Sequence, residues 1–247
     1  MQTTSSPGTA PAINYGMRAR LGMMLPSSNT IAETQMAAML PPGVSLHTTR
    51  LRLRSGRDAL GMLERLEEAT ELLADGGVER LIFHCTAVTM HSPEIPGQIR
   101  ERVAAITPTP LTITSDAVID ALRTLQARKI VLVTPYEQAV NDREVAFLAY
   151  HGVTVLREIG LGFTGGGQMR ATEPAQWYRE TVALRDPDAD AYFISCTAIR
   201  SAEVIDALED TLGKPVLTSN QATLWRALRE SGIEDRVAGF GRLLKDY

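Results

Sequence analysis

Short runs of apolar residues alternate with longer amphipathic stretches along the chain, which is the pattern of an α/β protein. The runs are rich in β-branched and aromatic residues, whereas Leu60, Leu63 and Leu66 approximate helical spacing. The predicted strands cover residues 18–25, 44–51, 81–83, 111–114, 130–133, 153–159, 191–194 and 216–217. The predicted helices lie near residues 31–40, 59–74, 99–106, 117–126, 145–150, 175–184, 202–212 and 222–229. Continuously apolar strands are typical of a parallel sheet covered on both faces.

One short motif occurs twice and contains both cysteines of the chain. Phe-His-Cys-Thr-Ala-Val at 83–88 recurs as Ile-Ser-Cys-Thr-Ala-Ile at 194–199, so Cys196 follows Cys85 by 111 residues. Two further landmarks repeat in the same order, at offsets of 109 and 104: Leu-Pro at 25–26 with Thr-Pro at 134–135, and Thr-Ser-Asp at 114–116 with Thr-Ser-Asn at 218–220. Three ordered repeats with similar offsets indicate two copies of one α/β unit.

The duplication predicts two pseudo-symmetric α/β lobes, each a mostly parallel sheet flanked by helices, with the active site in the cleft between them. We expect residues 17–117 to form the first lobe, with 222–247 packing back on it, and residues 118–221 to form the second. Residues 1–16 are rich in Ser, Thr and Pro and are expected to be a disordered tail. Ligands of open α/β sheets bind beyond the carboxyl ends of the strands, so both cysteines should line one cleft.

Composition and charge limit the expected partners. The chain of 247 residues has 25 basic and 29 acidic residues and no basic stripe, which disfavours nucleic acid and membrane surfaces as partners. The sequence shows no apolar stretch of membrane-spanning length and no signal-peptide pattern, so a cytoplasmic protein with two free thiols is expected. A homo-oligomer remains possible.

The two cysteines are candidates for catalysis, although a free cysteine is also a common core residue. Each is followed by Thr-Ala, and the NH and hydroxyl groups of Thr86, Ala87 and Thr197 suit a thiolate or a substrate carboxylate. Two thiols on opposite sides of a substrate carbon suit a reaction in which one attacks or takes a proton and the other delivers a proton. Such chemistry needs no cofactor.

Two turns supply further candidates for substrate binding. Ser27 and Asn29 lie in the turn after the first strand, and Tyr136 lies in the corresponding turn of the second copy. Asn29 either caps the following helix or contacts the ligand, and Tyr136 is either a turn aromatic or a ligand contact. The NH groups of the first turn suit a carboxylate.

The remaining motifs do not indicate a cofactor or a metal. The glycine-rich segment 160–167 lacks the features of a phosphate loop or a Rossmann motif, and we expect it to be a mobile lid. The four histidines lack metal-ligand spacing, so no metal site is expected. His84 should be structural, because it points to the opposite face of its strand from Cys85. His91 lies either near the cleft or on the surface.

Taken together, these residues resemble the aspartate/glutamate racemase superfamily. The likeness is carried by Pro-Ser-Ser-Asn-Thr at 26–30 with Glu33 and Met36 after it, the twin cysteines, Thr-Pro-Tyr at 134–136 and the segment 239–244. It extends over residues 18–244 and is closest to the branch of maleate cis-trans isomerases and arylmalonate decarboxylases.

The resemblance implies a cofactor-independent enzyme in which Cys85 is the nucleophile that adds to a double bond. It also implies that Cys196 is the partner in proton transfer and that Asn29 and Tyr136 bind carboxylate. In the decarboxylases only the cysteine matching Cys196 is present, so this chain looks more like the isomerases and two-thiol racemases. The segment 161–168 is closer to the decarboxylase version.

Three hypotheses follow. The first is an isomerase of a small mono- or dicarboxylate, acting by cis-trans isomerisation or by racemisation. The second is an arylmalonate-type decarboxylase with Cys196 as proton donor, and the third is a non-catalytic carboxylate-binding protein. The sequence after Cys196 differs from the maleate isomerases, and Arg200 there either meets a second anionic group or lies on the following helix.

Overall fold

Two parallel sheets of four strands each form the centre of the molecule. The computed structural model describes residues 13–53 and 59–247. The strands are β1 (Ala19–Pro26), β2 (Val44–Leu51), β3 (Arg80–Phe83) and β4 (Leu111–Ile113) in the first sheet, and β5 (Lys129–Thr134), β6 (Thr154–Gly160), β7 (Ala191–Ile194) and β8 (Val216–Thr218) in the second. The strand orders β2-β1-β3-β4 and β6-β5-β7-β8 are equivalent, and every pairing is parallel. The predicted two-lobed α/β fold is therefore confirmed.

Helices connect and cover the strands. They are α1 (Ala32–Met39), α2 (Leu66–Asp75), α3 (Thr86–Thr89), α4 (Ile95–Ala104), α5 (Thr114–Thr124), α6 (Gln138–Tyr150), α7 (Gly166–Ala171), α8 (Pro174–Ala183), α9 (Ile205–Leu212), α10 (Ser219–Glu230) and α11 (Gly241–Asp246). Short 3₁₀ helices, Ala59–Arg65 and Ala202–Val204, precede α2 and α9. The structure of the described residues contains no helix long and apolar enough to cross a membrane.

The elements that the sequence pattern missed have simple physical explanations. Helices α3 and α7 have four and six residues, too few to show a helical period. Helix α6 begins seven residues before its predicted start. The pattern missed these residues because the buried face of the first turns contains Asn141 and Glu144, which are polar. An apolar period cannot reveal a buried face that is polar.

Helices α5 and α10 pack across the boundary between the two lobes. Helix α10 follows β8 of the second sheet but contacts α1, β3 and β4 of the first. Helix α5 follows β4 and contacts α10, and its Val118 and Leu122 share a core with Ile130 of β5. Arg80 of β3 stabilises the packing of α10 on the first sheet, because its guanidinium donates to the backbone carbonyl of Glu230 at 2.7 Å.

The chain terminus departs in part from the sequence prediction. Helix α10 does pack on the first lobe, but α11 contacts α9 and β8 of the second sheet. The NH groups of Gly241 and Arg242 donate to Asp206 at 2.6 Å and Glu209 at 2.9 Å. The prediction that 222–247 as a whole packs on the first lobe is therefore wrong for α11. Of the predicted tail, residues 1–12 lie outside the described residues.

Candidate active site

A cavity of about 300 Å³ lies between the lobes, at the carboxyl ends of β1, β3, β5 and β7. Six of the eight site residues expected from the sequence line it, and they include both cysteines. The lining consists of Pro26, Ser28, Asn29, Leu53, Cys85, Ala87, Tyr136, Glu137, Val140, Phe163, Thr164, Gly165, Gly166, Met169, Cys196, Thr197 and Ala198. Strand ends from both lobes therefore meet at one site, as expected for this class of sheet.

Cys85 lies just beyond β3 and immediately before α3, in extended backbone conformation. Burial raises the pKa of its thiol to about 12, and the negative charge of Cys196 adds to that rise. The NH groups of Val88 and Ala87 hydrogen-bond the sulfur and oppose the rise. These two donors are the first-turn NH groups of a helix, which stabilise a thiolate when it forms.

Cys196 occupies the equivalent position beyond β7 and has a φ of 144°. That region disfavours residues other than glycine, so the surrounding structure holds this backbone under strain. The Ala198 NH donates to the Cys196 sulfur at 3.3 Å, and the Cys196 NH donates to the Ser219 hydroxyl at 3.1 Å. Burial raises the pKa of the thiol to about 11, while hydrogen bonds from Ala198 and the Tyr136 hydroxyl lower it. Both thiols therefore carry a proton at neutral pH.

Asn29 bridges the two lobes from the start of α1. Its Oδ1 accepts from the NH groups of Ile31 at 3.0 Å and Ala32 at 3.1 Å. Asn29 therefore caps the helix, which is one of the two roles expected from the sequence. Its Nδ2 donates to the Thr197 carbonyl at 3.0 Å and hydroxyl at 3.1 Å. The side chain is fully buried and also lines the cavity, so capping and contact with the site coexist.

Tyr136 lines the cavity from the second lobe and is 6% exposed. Burial raises the pKa of its phenol well above the ordinary value, and the charges of Cys196 and Glu144 add to the rise. Its NH donates to the Thr134 hydroxyl at 3.1 Å. The phenol therefore stays protonated and can donate a hydrogen bond into the site.

Two predicted binding residues do not face the cavity. Ser27 is exposed, and its hydroxyl accepts from the Leu53 NH at 3.3 Å, while the neighbouring Ser28 lines the cavity instead. Thr86 is buried, and its hydroxyl donates to Ser219 at 2.9 Å, which joins the lobes beneath the cysteines. Neither side chain belongs to the cavity lining, because turn and helix geometry directs both elsewhere, and a role of Ser27 and Thr86 in substrate binding stays a prediction.

The histidines and Arg200 lie outside the cavity lining. His84 is fully buried, where its Nε2 donates to Asn220 Oδ1 at 2.8 Å and its Nδ1 accepts from the Thr114 hydroxyl at 2.9 Å. Burial lowers its pKa to about 4, so it is neutral and structural as predicted. His91 contacts Arg143 at 3.2 Å, and Arg200 forms ion pairs with acidic side chains.

The apolar part of the cavity lining, called the apolar wall below, was not anticipated from the sequence. It consists of Leu53, which packs against the core of the first lobe, and of Val140, Phe163 and Met169, which pack against the core of the second. Phe163 belongs to the glycine-rich segment 160–167, and its NH donates to the Pro135 carbonyl at 2.8 Å. This segment therefore forms part of the wall, and its motion as a lid remains a prediction. Only tertiary structure brings these four side chains together.

In the part of the chain that the structure describes, titratable side chains are not clustered as a metal site would require. Within residues 13–53 and 59–247, no group of three His, Cys, Asp or Glu residues is arranged to hold a metal ion. The groups that can exchange protons with a ligand in the cavity include the two thiols and the Tyr136 phenol. The chemistry available to these residues is addition of a thiolate and transfer of protons.

Comparison with known proteins agrees with this geometry. The sequence model of the arylmalonate decarboxylase family matches residues 21–244. The maleate isomerase of Nocardia farcinica (strain IFM 10152) is 29% identical over 239 residues, which cover 92% of this chain and 95% of that protein. The arylmalonate decarboxylase of Bordetella bronchiseptica is 34% identical over 140 residues, covering 56% of this chain and 58% of that one.

A solved structure extends the likeness to the fold. The Nocardia farcinica maleate cis-trans isomerase, as a cysteine-to-serine mutant with a covalently bound succinylcysteine intermediate, superposes with a TM-score of 0.88 at 26% identity. The alignment covers 93% of this chain and 99% of that chain. The resemblance predicted from the sequence is confirmed, and the chain belongs to the arylmalonate decarboxylase family, in the branch of the aspartate/glutamate racemase superfamily that also contains the maleate isomerases.

Proposed function

We propose that the protein is a cofactor-independent isomerase that uses Cys85 and Cys196 to convert a small unsaturated dicarboxylate of the maleate type into its trans isomer. The observation that carries the proposal is the presence of two thiols, one from each lobe, in the lining of one cavity. The relatives support it, since three maleate isomerases align over about nine-tenths of the chain.

The proposed reaction begins with two protonated thiols. The Cys85 sulfur adds to one alkene carbon while Cys196 gives its proton to the other, and the proton of Cys85 passes to the Cys196 sulfur. The carbon–sulfur bond leaves a single bond between the two central carbons, so they can rotate. Elimination reverses the addition: Cys196 passes its proton to the departing Cys85 sulfur and takes a proton from carbon, which restores both thiols and the double bond.

The remaining cavity residues have supporting roles in this proposal. The NH groups of Ala87 and Val88 stabilise negative charge on the Cys85 sulfur, and Asn29, in the cavity lining, contacts a substrate carboxylate. Tyr136 donates a hydrogen bond to the second carboxylate. Tyr136 and Cys196 are already hydrogen-bond neighbours, so the carboxylate would be held next to the proton donor.

A specific observation favours a second candidate function. The wall of Leu53, Val140, Phe163 and Met169 is apolar, whereas a four-carbon diacid has carboxylates at both ends. A disubstituted malonate with an apolar substituent would cover this wall. Its decarboxylation would use only Cys196, which protonates the enediolate after carbon dioxide leaves. Racemisation of an acid with an apolar substituent would use both thiols.

The experiment that separates these functions is proton NMR in deuterated water with maleate, arylmalonates, amino acids and hydantoins as substrates. Isomerisation predicts that the maleate signal is replaced by that of fumarate. Loss of carbon dioxide from an arylmalonate without any change in maleate supports the decarboxylase instead, and exchange at an α-carbon supports a racemase. If no compound reacts, and none protects the thiols from alkylation, the protein is not an enzyme of this type.

A further inference from the structure

The described lining of the cavity contains no positive charge to balance the dicarboxylate proposed above. A small dicarboxylate brings two negative charges, whereas none of the described residues that line the cavity is basic. The lining includes one acidic residue, Glu137. Both thiols and the Tyr136 phenol keep their protons at neutral pH, so they carry no charge. A cation that attracts a dianion to this site therefore has to lie beside the lining.

Arg170, in the last turn of α7, lies beside the lining at the opening of the cavity. Its Nη1 donates to the Ser28 carbonyl of the first lobe at 2.9 Å. A Cβ at Gly166 would lie 3.1 Å from the same nitrogen and 3.6 Å from the Ser28 hydroxyl oxygen. Ser28 and Gly166 both line the cavity, and Ser28 is exposed to solvent, so it marks the opening. The guanidinium thus lies next to lining residues from both lobes.

The positive charge of Arg170 is not neutralised by a carboxylate among the described residues. No acidic side chain of these residues forms an ion pair with it, and its side chain donates to the Ser28 carbonyl alone. Arg50, near the same turn, shows the contrast. It also donates to a backbone carbonyl, that of Asn29 at 2.6 Å, but it pairs with Glu33. Nε and Nη2 of Arg170 can therefore bind a carboxylate through two parallel hydrogen bonds.

We propose that Arg170 is a specificity-determining residue: its guanidinium attracts the carboxylate that Asn29 contacts, so the site favours a dianion, whose other carboxylate is held by Tyr136, over a monoanion. The inference rests on the proposed function for its catalytic meaning, and it narrows the substrate class to dianions of the maleate or the malonate type. Its electrostatic part concerns the protein alone, because any anion that enters the cavity experiences the same charge.

The physical basis is the attraction of anions by a charge at the opening of a cavity. Such a charge raises the local concentration of anions, and salt weakens the effect. The Debye length is about 30 Å at 0.01 M salt and about 3 Å at 1 M, so the effect of Arg170 should be present at the first concentration and lost at the second. If Arg170 served only to hold α7 against Ser28, its loss would affect neutral and anionic molecules alike.

The test compares alkylation by iodoacetate, an anion, with alkylation by iodoacetamide, which is neutral. Peptide mass spectrometry follows each cysteine at one alkaline pH, and the ratio of the two rates cancels thiol ionisation and access to the cavity. In R170Q this ratio should fall by about twofold to fivefold at about 0.01 M salt and match the parent at about 1 M. R200Q is the matched control, because Arg200 pairs with Glu173 and Glu203 outside the lining, and its ratio should match the parent at both concentrations.

A conservative variant separates the charge from the side chain that carries it. R170K keeps the charge, so its ratio should stay close to that of the parent. An unchanged ratio in R170Q overturns the proposal, even if both rates change together. An equal fall in R200Q overturns it as well, because the effect would then belong to the net charge of the protein. A fall in R170K as large as that in R170Q has the same consequence.

Protection from alkylation tests the specificity for dianions. Succinate and butyrate both have four carbons, but succinate has two carboxylates and butyrate has one. Succinate should protect the parent from iodoacetamide at lower concentrations than butyrate does, and R170Q should lose most of this difference. Equal protection of the parent by the two acids, or none by either, overturns the specificity.

The outcomes for Arg170 and for the proposed function are distinguishable. If R170Q lowers the iodoacetate ratio but no compound in the NMR screen reacts, the proposed function is refuted and the electrostatic role of Arg170 stands. If a dicarboxylate reacts but the ratio is unchanged in R170Q, the proposed function stands and the role of Arg170 is refuted.

Discussion

The side-chain amide of Asn29 donates to both the backbone carbonyl and the hydroxyl of Thr197, at 3.0 Å and 3.1 Å, and so joins the first lobe to the loop that follows Cys196. The same side chain caps α1 through its oxygen. Asn29 therefore stabilises the start of α1 and positions the loop that follows Cys196.

Replacement of Asn29 should reduce both stability and activity. N29A removes a helix cap and two buried hydrogen bonds, which together are worth about 2–3 kcal/mol of the free energy of unfolding. T197V is the matched control, because it removes only the hydroxyl acceptor and keeps the carbonyl, and it should cost about 1 kcal/mol. Urea unfolding measures both. Equal losses in the two variants would contradict the bridging role of Asn29.

Replacement of Cys85 and of Cys196 by serine should have different effects on turnover and on adduct formation. C85S should lose turnover of maleate and any covalent adduct, because a serine hydroxyl is barely ionised at neutral pH. C196S should lose turnover but retain addition at Cys85, with solvent water replacing Cys196 in proton transfer, so an adduct of one substrate mass should accumulate on the intact protein. Mass spectrometry after incubation with maleate distinguishes these outcomes. Full activity of C196S would refute the isomerase and the decarboxylase alike, since both use this thiol as proton donor.

Acid should destabilise the protein through His84. Its folded pKa of about 4 lies below the ordinary value of 6.5, so the unfolded chain binds more protons between these values and stability falls as the pH is lowered through this window. The loss attributable to this one group is about 3 kcal/mol when the pH has fallen below both values. Urea unfolding at several pH values should show the slope, and H84Q, which cannot titrate, should flatten it.

A rise in pH should also destabilise the protein, through ionisation of Glu144. Burial raises its folded pKa to about 8 from an ordinary value of 4.5, so the folded state binds more protons in this window and stability falls as the pH rises through it. E144Q should therefore be more stable than the parent at pH 8 and above, with the difference shrinking toward pH 5. A constant difference at all pH values would show that Glu144 does not titrate as a buried acid.

Alanine substitutions should have different effects at the two ends of the glycine-rich segment 160–167. A Cβ at Gly160 would lie 2.5 Å from the Tyr136 carbonyl, whereas a Cβ at Gly167 would meet nothing within 4 Å. G160A should therefore displace Tyr136 and lower both the melting temperature and turnover, and G167A should leave them at parent values or slightly higher. Thermal melts and turnover of the two variants give the comparison, and an unaffected G160A would show that the turn at Tyr136 is compliant.

The lid prediction for residues 160–167 needs a separate measurement. The NH groups of Leu161 and Gly162 donate to carbonyls of Thr134 and Tyr136, each at 3.0 Å, which anchors the start of the segment. Hydrogen exchange should therefore be slow at these two residues and fast from Thr164 to Gly167 without ligand. Addition of a dicarboxylate should slow exchange in the second group, and equal protection in both states would remove the lid.

The sequence by itself determined the fold class, the duplication and the location of both cysteines at strand ends. These follow from local causes: apolar runs form buried strands, and a repeated order of landmarks requires a repeated topology. Asn29, Tyr136 and Thr197 could be placed in the cavity for the same reason, because they follow the strands whose ends meet there.

Tertiary structure alone decided which side chains turn toward the cavity and which elements pack together. Thr86 and Ser27 lie next to cavity residues in sequence, yet their hydroxyls bond to Ser219 and the Leu53 NH. The apolar wall and the packing of α5 and α10 across the boundary between the lobes depend on contacts between residues far apart in the chain, which no local pattern encodes. Glu144 escaped prediction for the same reason: its burial arises only when α6 packs against the second sheet.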